Sequence, residues 1–116
     1  MSSAEPIVVP QALSERPLLG DPEVGELADL FRLLSNDSRL RILHVLARGG
    51  EVGVSAISEE IGMSPQAVSN QLQRMAAQLF VASRRDGNHI YYRLVDPCVG
   101  QVMELGLCVL GHDPIT

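Results

Sequence analysis

The chain has 116 residues, 46% of them hydrophobic, which fits one globular domain and argues against wholesale disorder. Aromatic residues make up 3% and Trp is absent, so binding single strands by base stacking is disfavoured while reading an intact duplex stays open. The net charge of −5 is localised: residues 1 to 29 hold six acids against Arg16, and the remaining eight acids and eight arginines cancel.

Residues 1–22 carry Pro6, Pro10, Pro17 and Pro22 without a sustained apolar period, and are expected to form a flexible arm. Helix 1 is expected over Glu23 to Leu34, with Leu27, Leu30, Phe31 and Leu34 on one stripe. Asn36 or Asp37 caps helix 2, whose Leu40, Leu43 and Leu46 face inward and which stops at Gly49-Gly50. Helix 3 runs from about Ser55 to Ile61 and ends at Gly62. Ser64 caps helix 4, and Pro65 stands at the first helical position, where a missing N–H costs nothing. Val68, Leu72, Met75 and Leu79 form its expected buried face. Two strands follow, at about 80–85 and 89–95, joined by the hairpin signal Asp86-Gly87-Asn88. Ile90, Tyr92 and Leu94 alternate inward, leaving His89, Tyr91 and Arg93 outward.

The last helix begins at Asp96-Pro97 and is expected to end at Gly111, with residues 113–116 as a tail. Val99, Val102, Met103, Leu105, Leu107, Val109 and Leu110 make it apolar on nearly every side, so it needs cover beyond a monomer's surface, most simply a second copy. The whole is mainly α with a small β-hairpin, in the order of a winged helix-turn-helix, with residues 23–112 as the DNA-binding and dimerisation domain. The first residues lack the basic and apolar regions of a signal peptide, and no stretch approaches the roughly 20 apolar residues of a membrane span. The expected location is the cytoplasm, with no membrane partner and with Cys98 and Cys108 as reduced thiols.

These motifs together resemble the ArsR/SmtB family of bacterial metal-responsive repressors. The resemblance lies in Leu34-SNDSRLRIL-His44, Ile57-SEEIGMSPQAVSNQL-Gln73 and Ala82-SRRDGNHIYYRL-Val95, and covers about Glu26 to His112. It implies a homodimer built on helix 1 and the last helix, with Leu27, Leu30, Phe31, Val102, Leu105 and Val109 at the interface. It also implies repression of metal-resistance or homeostasis genes, relieved when an effector binds.

Opposite helix 4's apolar stripe stand Gln66, Ser69, Asn70 and Gln73. Amides bond bidentately to adenine in the major groove, and Ser bonds to several bases. Ser64, Gln66, Ser69 and Asn70 match the family's reading positions. Arg74, Arg84, Arg85 and Arg93 are candidates for phosphate or minor-groove contact, with Asn88 and His89 at the wing tip. The alternative is a solvated polar face beside a surface hairpin. The expected partner is double-stranded operator DNA.

The resemblance places one effector site on the last helix. Asp96 matches the family's Asp, Cys98 stands at its first His, Val109 at its second His and His112 at its Glu, with Cys108 adjacent. On an ideal helix Cys98, Cys108 and His112 fall within roughly 80° of one another, but the two thiols lie roughly 15 Å apart along the axis. One ion therefore needs Cys98 of one subunit and Cys108 with His112 of the other. Thiolate, imidazole and carboxylate suit Zn, Co, Ni or Cd, with thiolate favouring the softer ions. The family's thiol pair at the start of helix 3 is missing, since Gly53 and Ser55 stand there, which disfavours sensing of arsenite, lead or cadmium through that site. Asp96 can instead be a helix cap, and the thiols interface fillers. His44 and His89 are expected on the surface. A thiol redox switch between subunits and a protein-docking winged helix remain as alternatives. An enzyme is disfavoured, because no nucleophile triad, phosphate loop or carboxylate pair is present.

Overall fold

The computed structural model describes residues 12–112, and the chain divides into two compact units after Arg32. The first unit holds a 3-10 turn at Leu13–Glu15 and most of helix α1, Asp21–Leu34. α1 begins two residues earlier than expected, inside the segment read as an arm. Its start is fixed by Glu23, whose Oε1 accepts the Gly20 N–H at 2.9 Å. Val24, Leu27 and Phe31 line one face of α1 and are exposed. The rest of the expected arm, residues 1–11, and the tail 113–116 lie outside the described residues.

The second unit contains α2 (Asp37–Gly49), β1 (Glu51–Gly53), α3 (Val54–Ile61), α4 (Pro65–Ala77), β2 (Val81–Asp86), β3 (His89–Leu94) and α5 (Cys98–Val109). Its core is Ile42, Leu43 and Leu46 of α2, Ile57 of α3 and Val68, Leu72 and Met75 of α4, all essentially inaccessible. Each such side chain contributes about 1.5–3 kcal/mol by leaving water. The caps follow the local chemistry. Asn36 Oδ1 accepts the Arg39 N–H at 2.9 Å, and Ser64 Oγ accepts the Ala67 N–H at 3.1 Å. Gly50 and Gly62 end α2 and α3 at φ 80° and 71°. The turn between α3 and α4 is locked by the buried Ser58, which donates its hydroxyl to the Met63 carbonyl and accepts the Gly62 and Met63 N–H groups on its own.

Two expectations need correction. The wing is a three-stranded antiparallel sheet in the order β1-β3-β2, not a lone hairpin. Its third strand is too short to show alternation and pairs far along the chain, Glu51 with Arg93 and Gly53 with Tyr91. Leu79 is not on the buried face of α4: it is 77% exposed, at φ 66°. The helix ends at Ala77, and Phe80 N–H closes it onto the Met75 carbonyl at 2.9 Å. The apolar period therefore runs one step past the helix, and Leu79 takes the left-handed position usually held by Gly.

The start of α5 packs on α2: Val99 is buried, and a Cβ on Gly100 would lie 3.6 Å from that of Ala47. Beyond it Leu105, Leu107, Val109 and Leu110 are exposed, Leu105 at 66%. Among the assigned interface residues Leu30 and Val102 are half-covered within the single chain.

Candidate nucleic-acid interface and effector helix

α4 is built with two opposed faces. Val68, Leu72 and Met75 are sealed in the core, which turns Gln66, Ser69, Asn70 and Gln73 outward. The outward residues are ordered in pairs one turn apart. Gln66 Nε2 donates to Asn70 Oδ1 at 3.0 Å, and Gln73 Nε2 to Ser69 Oγ at 3.3 Å. Such pairs bias the amide groups toward these directions by about 0.2–0.5 kcal/mol each. Ser64 is different, because its oxygen is engaged in capping α4. Arg74 is exposed in the last turn of the same helix.

The wing tip is Gly87-Asn88, with Gly87 at φ 65° and both Asn88 and His89 exposed. The register separates the wing arginines by face. Arg85 pairs with Ile90, and Arg84 pairs with Tyr91, so the two guanidinium groups leave opposite sides of the sheet. Arg85 makes no ion pair among the described residues.

Arg84 is held through two of its nitrogens by Glu51, while its Nη1 lies 3.9 Å from Asp86 Oδ2, too far for a hydrogen bond. Its Nε and Nη2 donate to the two carboxylate oxygens of Glu51 at 3.0 and 2.9 Å, and its guanidinium carbon lies 5.0 Å from the centre of the Tyr91 ring. The Tyr91 ring lies against Gly53, where a Cβ would be 3.4 Å from two ring carbons. Tyr91, expected to point outward, is half-covered by this arrangement. The hydrogen bonds from Arg84 hold the Glu51 carboxyl below the usual carboxylate range and push the Arg84 guanidinium further up. Sequence reading offered no signal for this clamp, since Glu51 and Arg84 stand 33 residues apart.

On α5, Cys98 and Cys108 are both free and exposed. Asp96 Oδ1 accepts the Cys98 N–H at 2.8 Å, and this bond holds the Asp96 carboxyl below its usual range. The same carboxylate, as a hydrogen-bond partner of the thiol, pushes Cys98 up. His112 is placed by the helix end: Gly111 adopts φ 85°, and the His112 N–H donates to the Leu107 carbonyl at 2.9 Å. Among the described residues of one chain, no three His, Cys, Asp or Glu side chains converge on a point that could hold an ion. His44 and His89 are exposed, as expected.

The MarR family profile matches residues 36–89, which run from the cap of α2 to the first residue of β3. The crystal structure of AntR, an antimony-specific transcriptional repressor, superposes with a TM-score of 0.79 at 47% identity, over 92% of this chain and 96% of AntR. The chain belongs to the ArsR/SmtB family. Another relative in this family, the transcriptional repressor SmtB homolog of Synechocystis sp., is 38% identical over 90 residues, or 78% of this chain. The match spans 65% of that curated relative's length. The homodimeric winged helix-turn-helix domain Mb0332 of Mycobacterium bovis, a possible ArsR-family regulator, matches with a TM-score of 0.67 at 30% identity, over 87% of this chain and 99% of its own. These relatives are transcriptional regulators. No helix among the described residues is long and apolar enough to cross a membrane.

Proposed function

We propose that this ArsR/SmtB chain is a homodimeric repressor that reads a palindromic operator with α4 and the wing, and whose grip on DNA is set by a thiophilic ion held between the two α5 helices. The observation that carries the DNA reading is the paired amide and hydroxyl face of α4, held outward by a fully buried opposite face. Helices of this kind enter the major groove, while the wing arginines meet the backbone.

The donors on α5 fit such an ion only across a dimer. Among the described residues one chain brings no three donors together, yet both thiols are accessible and α5 leaves Leu105 and Val109 uncovered. An antiparallel pair of α5 helices sets Cys98 beside Cys108 of the partner subunit, with His112 of the partner subunit and Asp96 at the edge. Two thiolates per site favour soft ions. Similarity to AntR, an antimony-specific repressor, over nearly the whole chain favours antimony ahead of Zn, Ni, Co or Cd. An ion held there supplies a crosslink between subunits; Cys98 and Cys108 must give up their protons to hold it.

The test is a titration of the protein against duplex DNA from its own upstream region, with antimony(III), Zn, Ni, Co and Cd in turn. Operator preference over shuffled DNA, and a shift of about 5- to 150-fold with one ion, are expected. Cys98→Ser should abolish the shift and leave ion-free DNA binding intact. Equal affinity for operator and shuffled DNA would remove the repressor reading. The exposure of both thiols also favours a second reading, a disulfide between subunits. In that case oxidant alone shifts DNA binding, reductant reverses it, and no ion is needed.

A further inference from the structure

Glu51 is the one acid on β1, and the sheet places it among the arginines of the wing. Its cross-strand partner is Arg93, and Arg84 reaches it diagonally past the Tyr91 ring to close a two-point ion pair. The wing does not need this pair to hold its shape. β2 and β3 are paired over six residues, and Val81 and Tyr92 anchor the sheet in the core. Glu51 and Arg84 remain solvent-accessible, and exposed pairs of this kind add little to stability. A phosphate offers a guanidinium the same two-oxygen geometry as a carboxylate does.

We propose that Glu51 is an internal competitor for DNA phosphate: by occupying Arg84 and screening Arg93, it lowers the affinity of the wing for the backbone of any duplex. This rests on reading α4 and the wing as a duplex-DNA surface. It makes Glu51, and not Arg84, the residue that sets how strongly the wing contributes. The clamp moderates the sequence-independent part of binding and leaves the reading of bases to α4.

The experiment compares wild type, Glu51→Gln, Arg84→Ala and the double variant on operator and shuffled duplexes across a salt series. Glu51→Gln keeps the shape of the side chain and removes its charge. It should bind both duplexes more tightly by the same factor, about 12-fold or more at 50 mM salt for a dimer. Each freed arginine adds about 0.9 to the log–log salt slope, so the ratio of variant to wild-type affinity should fall about 3.5-fold between 50 and 200 mM, or about 12-fold for two subunits. Arg84→Ala alone should weaken binding, because it leaves the Glu51 carboxylate facing the phosphates. The double variant should lose the part of the added slope that Arg84 carries and keep only the smaller part that comes from unscreened Arg93. Weaker DNA binding by a folded Glu51→Gln protein would show the clamp to be a strut and overturn the proposal, as would an unchanged slope. Absence of duplex binding by wild type would instead remove the reading on which the proposal rests. Circular dichroism on each variant separates these results from misfolding.

Discussion

The carboxylate of Asp96 accepts the backbone N–H of Cys98 at 2.8 Å, closing the turn from which α5 starts. One oxygen of the carboxylate that resemblance assigns to an ion thus already caps the helix itself. Asp96→Asn keeps an acceptor for that N–H and removes the charge. It should leave α5 formed and the affinity for the effector ion within about threefold of wild type. Calorimetry on reduced protein measures this. A loss of about tenfold or more, the scale of a lost ligand or its support, would make Asp96 part of the ion site.

On α4, Ser69→Ala and Asn70→Ala should each remove about 1–3 kcal/mol of discrimination between operator and shuffled DNA. Arg85→Ala should weaken both duplexes alike and reduce the salt slope by about 1. Competition binding distinguishes the two patterns. Unchanged operator preference in Asn70→Ala would remove α4 as the reader.

Leu105 is two-thirds exposed on a stretch that also exposes Leu107, Val109 and Leu110. Leu105→Glu places a charge where a second copy is expected to dock, and should yield monomers or aggregate in sedimentation. A wild-type protein that sediments as a folded monomer at micromolar concentration would contradict the dimer.

Three substitutions probe the scaffold beneath the reader. Ser64→Ala removes the cap of α4 and should cost about 1 kcal/mol. Met75→Ala opens a cavity in a sealed core and should cost about 2–5 kcal/mol. Leu79→Gly relieves the left-handed strain and should stabilise by about 0.5–1 kcal/mol, because the exposed side chain loses little packing. Urea unfolding ranks all three, and a destabilised Leu79→Gly would mean that Leu79 has packing not evident in the single chain.

The elements legible in the sequence are those fixed by neighbours. Asn36, Ser64-Pro65, Gly62 and Asp86-Gly87 each set a boundary through chemistry within three residues, and each boundary stands where it was expected. What stayed hidden depends on distant pairing. β1 exists because Glu51–Gly53 find β3, and Arg84 is engaged because Glu51 finds it across the sheet. Leu79 misled because periodicity continues in a sequence after the helix has stopped. On α5 the residue types were readable, but any ion site there needs a second chain to be complete.

The Glu51–Arg84 pair also fixes a pH dependence. The Glu51 carboxyl is lowered by its bonds from Arg84, so its contribution to stability is complete above the ordinary carboxylate value. That contribution is lost only as pH falls through the depressed folded value. The difference in DNA affinity between Glu51→Gln and wild type should therefore stay flat from neutral pH down to the ordinary carboxylate value of about 4.3 and fade only below it. A difference that already fades at or above that ordinary value would show that Glu51 is not held charged by Arg84.

Gly53 has a bearing on retrofitting. The family's alternative thiol pair would put a side chain at this position, and here the space is bordered by the Tyr91 ring, 3.4 Å from any Cβ. Tyr91 in turn lies under the Arg84 guanidinium. Grafting cysteines at 53 and 55 would thus press on the wing's charge clamp as well as add ligands. A sensor rebuilt at that end of the sheet would come with an altered baseline grip on DNA, unless Tyr91 were resized at the same time.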